Sequence, residues 1–587
     1  MGQNRMRPGR IHIPHWILHA SHVLATGLAL AMIATLALDQ EFSWLRHRPG
    51  GDAFDLNEQP VFMALFAVGA LVALRWKLVG GTIAVFTAGG LVVFAGRQLV
   101  LTDAVLVFVG FLIPAVLWLV VGLFELRDEQ FHRAPDEHPR PLLRRRDVLG
   151  GLAILGVATV GGVRVGQWLF DRIYGPTHPS SVVSAVSGSP VKWLWCGAVT
   201  TDSAVVTTRL ENDDSTVSME VSTAPTMTNP STVPAAADDE GFVRVQLDGL
   251  EADSTYHYAF VVDGEPDRKR IGTFRTHPSG AATFTVVVAS CARTGSNGAV
   301  FDTIRTLDPQ MVIIDGDMHY GDIARNDQDA FRQIMDHTLG QPAQAAMFQR
   351  CPVGYVWDDH DYGGADSASD SRPAAMATYR EYVPHYSLAA SESPLYQAFT
   401  IGRVRFVLTD ARSGRAPGEG QTPGSMLGAA QKEWLKSQLA AGNRDHELLV
   451  WVNPVPWIAA SKAEGNGDDW GAYASERAEL ADFIAADGLH ESLLMVSGDA
   501  HMVAIDDGAN SDFSSVAAGG FPVLHAAALD RPGSSKGGPY SHGAFPGGGQ
   551  FGVITVTDEG GELTVDISGR NWRNDILVEH RFEAGQG

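Results

Sequence analysis

The sequence predicts three regions in order: an α-helical membrane region, a small β-sandwich, and a layered α/β domain that carries the chemistry. Three observations predict them. Long apolar runs fill most of the first 163 residues. Short β-like stretches follow over residues 190–278, and from Thr283 onward apolar strand runs alternate with helical stretches. At 587 residues the chain is too long for one ordinary domain. A net charge of −23 argues against a nucleic-acid role, because a phosphate backbone needs a basic face. The only cysteines are Cys196, Cys291 and Cys351, an odd number that does not make a disulfide scaffold.

The membrane expectation rests on runs at 16–38 and 104–124, a run at 78–95 just long enough to cross, and a shorter one at 61–74. His19, His22 and Asp103 lie in or beside these spans, either as a proton or metal site or simply as hydrated span ends. Arg5, Arg7 and Arg10, then Arg75 and Lys77, then six arginines between Arg127 and Arg146 fall in alternate loops. The positive-inside rule puts those loops in the cytoplasm. Arg145-Arg146-Asp147-Val148-Leu149 resembles a twin-arginine export signal leading into the apolar run 148–163, the other reading being an ordinary fifth span. The expected division is a four-span region at 1–147, a signal or anchor helix at 148–170, a linker at 171–189, a β module at 190–278 and a catalytic domain at 279–587. This makes a multi-pass membrane protein whose catalytic domain is extracytoplasmic.

The β module shows Thr216-Val217-Ser218-Met219-Glu220-Val221, Phe242-Val243-Arg244-Val245 and Tyr258-Ala259-Phe260-Val261-Val262. Gly249 through Tyr258 looks like the tyrosine corner of a fibronectin-III-like sandwich, and no catalysis is placed there. Beyond it, helical stretches are expected at 298–307, 371–382, 428–441 and 472–487, with strands at 404–409 and 447–452. Three late β runs, beginning at Phe551, Glu562 and Ile576, suggest a second sheet packed on the first.

Four apolar runs end in reactive side chains. Val286–Ala289 leads into Ser290-Cys291, and Met311–Ile314 into Asp315-Gly316-Asp317-Met318-His319-Tyr320. Val353–Trp357 leads into Asp358-Asp359-His360-Asp361, and Leu493–Val496 into Ser497-Gly498-Asp499-Ala500-His501. Active sites gather outside the carboxyl ends of α/β strands. A thiol, several carboxylates, a phenol and histidines converging there suggest a centre with two or more metal ions. A carboxylate bridging two cations holds them about 3.5–4 Å apart, the spacing that suits phosphoester hydrolysis. Asp317 is the candidate bridge. Tyr320 offers a phenolate to an ion such as Fe(III), and the Cys291 thiolate argues against a purely Mg or Ca site. Asp499 and His501, two apart in an extended stretch, face the same side.

These motifs resemble the PhoD-type alkaline phosphatase and phosphodiesterase family of calcineurin-like metallophosphatases over roughly residues 185–585. The likeness also includes Thr409-Asp410-Ala411-Arg412 and the helical stretch Met426 through Leu435. It implies an α/β/β/α metallophosphatase domain and a phosphomonoesterase or phosphodiesterase using a metal-activated hydroxide. It implies Cys291, Asp317, Tyr320 and His501 around Fe(III), and Asp317, Asp359 and Asp499 as ligands shared with one or more Ca(II) ions. Substrates would be lipid, cell-wall polymer or nucleotide phosphoesters, and the family's association with twin-arginine export fits Arg145-Arg146. Ala365 departs from the asparagine common in relatives, with Asp361 or Asp366 available to compensate.

Several roles stay open. His360 reads as a phosphate contact or general acid, and Arg412 as a phosphate clamp or a structural residue. Asp358 and Asp410 are ligands or loop caps, His319 is a supporting or surface residue, and Asn453 is a candidate neutral ligand. The competing function is a non-catalytic membrane sensor or phosphoester-binding protein.

Overall fold

The computed structural model describes residues 182–584 apart from 368–371, 389–394, 417–422, 464–466 and 532. It also describes residues 180 and 164 and short helical pieces between 68 and 118. The chain divides into two compact units, Met1–Ile173 and Tyr174–Gly587.

The membrane expectation is corrected. Among the described residues no helix is long and apolar enough to cross a membrane. The expected spans lie wholly or largely outside the described residues, as do Arg145, Arg146, His19, His22 and Asp103. The multi-pass location, and the extracytoplasmic placement drawn from it, fall with the spans. Hydropathy counts apolar residues and does not by itself supply a helix of sufficient length.

In the second unit a nine-stranded sheet runs edge to edge through Ile576–Ala584, Leu563–Asn571, Gln550–Thr557, Phe284–Ala289, Met311–Asp315, Val353–Val356, Val191–Gly197, Ser203–Leu210 and Phe242–Asp248. A seven-stranded sheet runs through Gln397–Ile401, Val404–Leu408, Leu448–Asn453, Leu493–Ser497, Val523–Ala526, Met502–Asp506 and Ala544–Pro546. The late runs therefore extend the first sheet rather than form a second one. Gln550–Thr557 pairs antiparallel with Phe284–Ala289. Alternating apolarity fixes which face of a strand is buried, but not which sheet edge it joins.

The layering follows from residue parity. Val286, Val288, Met311 and Ile313 meet Val450, Val452, Leu494 and Val496 between the sheets. The alternate residues Val287, Ala289, Val312 and Ile314 pack against Val300 and Ile304 of the helix Ala299–Thr306 and Phe331 and Met335 of Gln328–Leu339. On the far side, Trp451, Leu493 and Met495 pack against Leu435 and Leu439 of Ala429–Asp445 and Leu480 and Ile484 of Ala474–Ala486. Strands covered on both faces are apolar throughout, which is why they read as continuous runs.

A third, five-stranded sheet centres on Val217–Ser222 and Thr255–Val262. Beside it the Glu251 N–H donates to the Tyr256 hydroxyl at 2.9 Å, a tyrosine-corner contact. The β module is not a separate bead. Val191–Gly197 enters the large sheet through the parallel pairing of Gly197 with Val353.

Candidate metal centre

Parallel pairing brings the reactive strand ends together. Met311–Asp315 pairs in parallel with both Phe284–Ala289 and Val353–Val356, so Cys291, Asp317 and Asp359 emerge at one edge of the large sheet. Leu448–Asn453 pairs in parallel with Val404–Leu408 and Leu493–Ser497, bringing out Arg412, Asp499 and His501 at the same ends of the other sheet. The two glycine–aspartate turns make a close crossing possible. A Cβ on Gly316 (φ +86°) would lie 2.4 Å from the Asp358 Cβ. One on Gly498 would lie 2.5 Å from the Asp315 carbonyl oxygen and 2.8 Å from Ser290 Oγ. Cys291, Asp317 and Asp499 themselves have φ of 60°, 54° and 68°, a left-handed backbone that costs non-glycine residues energy and clusters at functional sites.

Cys291 Sγ lies 3.5 Å from Asp317 Oδ2, and its side chain packs with Tyr320. The Tyr320 hydroxyl is 3.0 Å from His501 Nε2. One donor atom each of Asp317, Asp359 and His360 lie within 4.8 Å of one another, as do one each of Asp359, Asp366 and Asp468. Asp317 Oδ1 and Asp499 Oδ2 are buried with no hydrogen-bond partner among the described residues. Burial, reinforced by the facing Asp317, pushes the Cys291 thiol well up. Burial likewise holds Asp317 well above the usual carboxylate range against the pull of His360, and moves Asp499 to about 6 against the pull of Lys536. Desolvated anionic donors with orphaned oxygens are the environment a bound cation satisfies. The donor set fits a metal centre.

Residues 285–521 match the model of the PhoD-like phosphatase family, and residues 194–278 match the model of that family's N-terminal domain. Together the two matches span more than half of the chain. The chain belongs to the PhoD-like phosphatase family. It is a metal-dependent phosphoester hydrolase. Among solved structures, one described as the structure of PhoD is 17% identical and superposes with a TM-score of 0.55, over 68% of this chain and 92% of that one. A dimetal phosphatase from Danio rerio is 14% identical with a TM-score of 0.32, over 51% of this chain and 98% of that one. Among curated proteins, none matches this sequence.

Cys291, Asp317, Tyr320, Asp359, His360, Arg412, Asp499 and His501 all fall within the PhoD-like match. The structure gathers Cys291, Asp317, Tyr320, Asp359, His360, Asp499 and His501 around one centre. Arg412 stands behind it. Its guanidinium is fully buried, donating to Asp358 Oδ1 at 2.5 Å and to both oxygens of Asp468 at 2.5 and 2.9 Å. This burial and pairing favour the structural reading of Arg412 over the phosphate clamp. His360 Nδ1 lies 2.5 Å from Asp322 Oδ1, and its ring lies 4.0 Å from that of Tyr320.

The open roles resolve in part. Asp410 caps its own turn, accepting the N–H groups of Arg412 and Ser413. Asp358 starts the turn Asp359–Tyr362 in a reciprocal cap with Asp361. His319 is buried against Asp361, so its surface reading fails. Asn453 is buried with its Nδ2 tied to the Val455 carbonyl. Asp322, Asp468 and Lys536 were missed by the sequence reading. Gly321-Asp322, a second glycine–aspartate step just past Tyr320, was the available signal for the first. Asp468 and Lys536 lie in irregular loops and carry no such signal.

Proposed function

We propose that this chain hydrolyses phosphodiesters, phosphomonoesters or both with a mixed-metal centre, residues 279–587 carrying the chemistry and 190–278 flanking it. In this reading Cys291, Asp317, Tyr320 and His501 hold Fe(III), and Asp317, Asp359 and Asp499 are shared with one or more Ca(II) ions. The observation that carries it is the convergence of thiol, phenol, imidazole and carboxylates from both sheets, with Asp317 Oδ1 and Asp499 Oδ2 left unpartnered in the interior. A soft thiolate and a phenolate favour a trivalent or borderline ion, and hard carboxylates favour calcium. When bound, such ions neutralise charge on the phosphoryl oxygens and acidify water.

The protein's own residues do the rest. Asp322 fixes the tautomer and orientation of His360 through Nδ1. His360 so held serves as the general acid that gives a proton to the leaving alcohol. The buried Arg412 keeps Asp358 and Asp468 in place and so braces the neighbouring Asp359. Lipid, cell-wall polymer and nucleotide phosphoesters are the candidate substrates.

The test is metal analysis of the purified protein together with turnover of bis(p-nitrophenyl) phosphate and p-nitrophenyl phosphate. Iron and calcium together with turnover of either ester support the reading. Iron-free protein at full rate overturns the metal assignment, and metal-replete protein inert to both esters overturns the substrate class.

A further inference from the structure

The loop following the strand Val523–Ala526 lies beyond the stretch matched by the PhoD-like model, yet it touches the centre at several points. The Leu529 N–H donates to the Ser290 carbonyl at 2.9 Å, beside Cys291. The Asp530 carboxylate accepts the Arg293 N–H at 2.6 Å. The Arg531 guanidinium stacks over the Tyr320 ring at 4.0 Å. Ser534 exchanges two hydrogen bonds with the backbone of His501, and Lys536 Nζ reaches Asp499 Oδ1 at 2.6 Å. The loop thus brings a fixed cation to the rim of an acidic site.

Arg412, Arg415, Arg531 and Lys536 lie about the centre, and they differ in access. The side chains of Arg412 and Arg415 are 0% and 5% exposed, both spent on Asp468. Arg531 is buried against Tyr320. The Lys536 side chain is 47% exposed. An ammonium has three donors, and among the described residues Asp499 is the one acceptor that Lys536 reaches. The others face solvent beside a candidate metal ligand, where the charged oxygens of an incoming phosphoester must arrive.

We propose that Lys536 is the substrate-phosphate contact of this enzyme, bridging Asp499 and a non-bridging phosphoryl oxygen. The proposal rests on the phosphoester-hydrolase reading and assigns to Lys536 the role that the sequence suggested for Arg412. Lysine suits it. A compact, mobile ammonium binds phosphate as a point charge without demanding the fixed plane of a guanidinium.

The experiment compares wild type, Lys536→Met and Lys536→Arg as metal-replete full-length protein. It measures kcat and KM on bis(p-nitrophenyl) phosphate, inhibition by inorganic phosphate, and metal content. Loss of one charge-assisted hydrogen bond predicts a rise in KM, and a parallel weakening of phosphate inhibition, of roughly 10- to 100-fold in Lys536→Met. Metal content stays at the wild-type level, and Lys536→Arg recovers most of the loss. Wild-type KM and phosphate inhibition in Lys536→Met overturn the proposal. So does a variant whose metal content changes while phosphate inhibition does not, since Lys536 would then only balance the charge of Asp499. A wild-type protein inert to phosphoesters refutes the functional reading itself, a result distinct from either of these.

Discussion

Arg412 Nε donates to Asp358 Oδ1 at 2.5 Å, and both side chains are wholly buried. The same guanidinium forks onto Asp468 from the opposite sheet's loops, so one arginine ties the two halves of the catalytic site together. Coulombic contact with Asp358 and Asp468 outweighs burial and keeps the group charged. Removing one partner of such a pair leaves an uncompensated buried charge. Arg412→Leu should therefore destabilise the protein by about 3–5 kcal/mol, read as a lower urea midpoint. Arg412→Lys should recover little, because an ammonium cannot span two carboxylates in the plane a guanidinium does. A phosphate clamp would behave otherwise, with stability kept and KM raised.

The thiol gives the next expectation. Cys291 is buried between Asp317, Ser290 and the Asp499 carbonyl, where burial and the facing Asp317 outweigh the hydrogen bonds from Tyr320 and Ser290 and a cation would favour its thiolate. With Fe(III) held by Cys291 and Tyr320, the purified protein should show a visible charge-transfer band. Cys291→Ser should shift that band and lower iron content and turnover together, because a hydroxyl is a poor substitute for a thiolate. Asp317→Asn should be worse still, since a neutral amide does not compensate two cations. Unaltered colour and iron in Cys291→Ser would remove the thiol from the metal shell.

Much of this centre was legible because its parts end long apolar strands. Cys291, Asp317, Asp359 and Asp499 each follow a run whose burial on both faces leaves an unmistakable pattern. Their convergence needed only the rule that parallel strands present their carboxyl ends at one edge. The partners of those residues were not legible. Asp322, Asp468 and Lys536 act from loops, and what they meet depends on how two sheets stack, which no local period encodes. The role of Arg412 stayed open, since sequence proximity to acidic residues cannot tell a cation that faces substrate from one buried behind it. The membrane expectation rests on hydropathy alone, and among the described residues no helix is long and apolar enough to cross a membrane.

His360 tests catalysis apart from metal binding. Its Nδ1 is committed to Asp322, so the imidazole keeps one orientation over Tyr320. His360→Ala should retain iron yet lose turnover by roughly 10²–10⁴-fold on esters with poor leaving groups. The loss should shrink on p-nitrophenyl esters, whose leaving group needs little protonation. Asp322→Asn should lower the rate by a smaller factor, about 10-fold, through misorientation of the ring. Equal losses on good and poor leaving groups would argue that His360 is not the acid.

The last expectation concerns acid stability away from the metals. His277 is fully buried where the β module meets the large sheet. Gln310 Nε2 donates to its Nδ1 at 3.2 Å, and its Nε2 faces the Tyr386 hydroxyl at 3.2 Å, which in turn donates to the Val199 carbonyl at 2.8 Å. This chain satisfies a neutral imidazole and offers no acceptor for a second proton. Burial accordingly moves its pKa from 6.5 down to about 3. The sign follows. Above about pH 6.5 neither folded nor unfolded His277 is charged, and the group has no pH effect. Between about pH 6.5 and 3 only the unfolded chain takes up the proton, so stability falls as pH falls, by about 2 kcal/mol at pH 5. His277→Gln should be less stable than wild type at about pH 7.5 by roughly 1–3 kcal/mol, for lost packing and hydrogen bonds. Because the variant cannot take up that proton, the gap should close by about 2 kcal/mol on going to about pH 5. Urea unfolding of both proteins at the two pH values reads this directly, and taking the difference cancels acid effects common to both, metal loss included. A gap that stays constant with pH would show that the buried imidazole is not what couples this junction to acid.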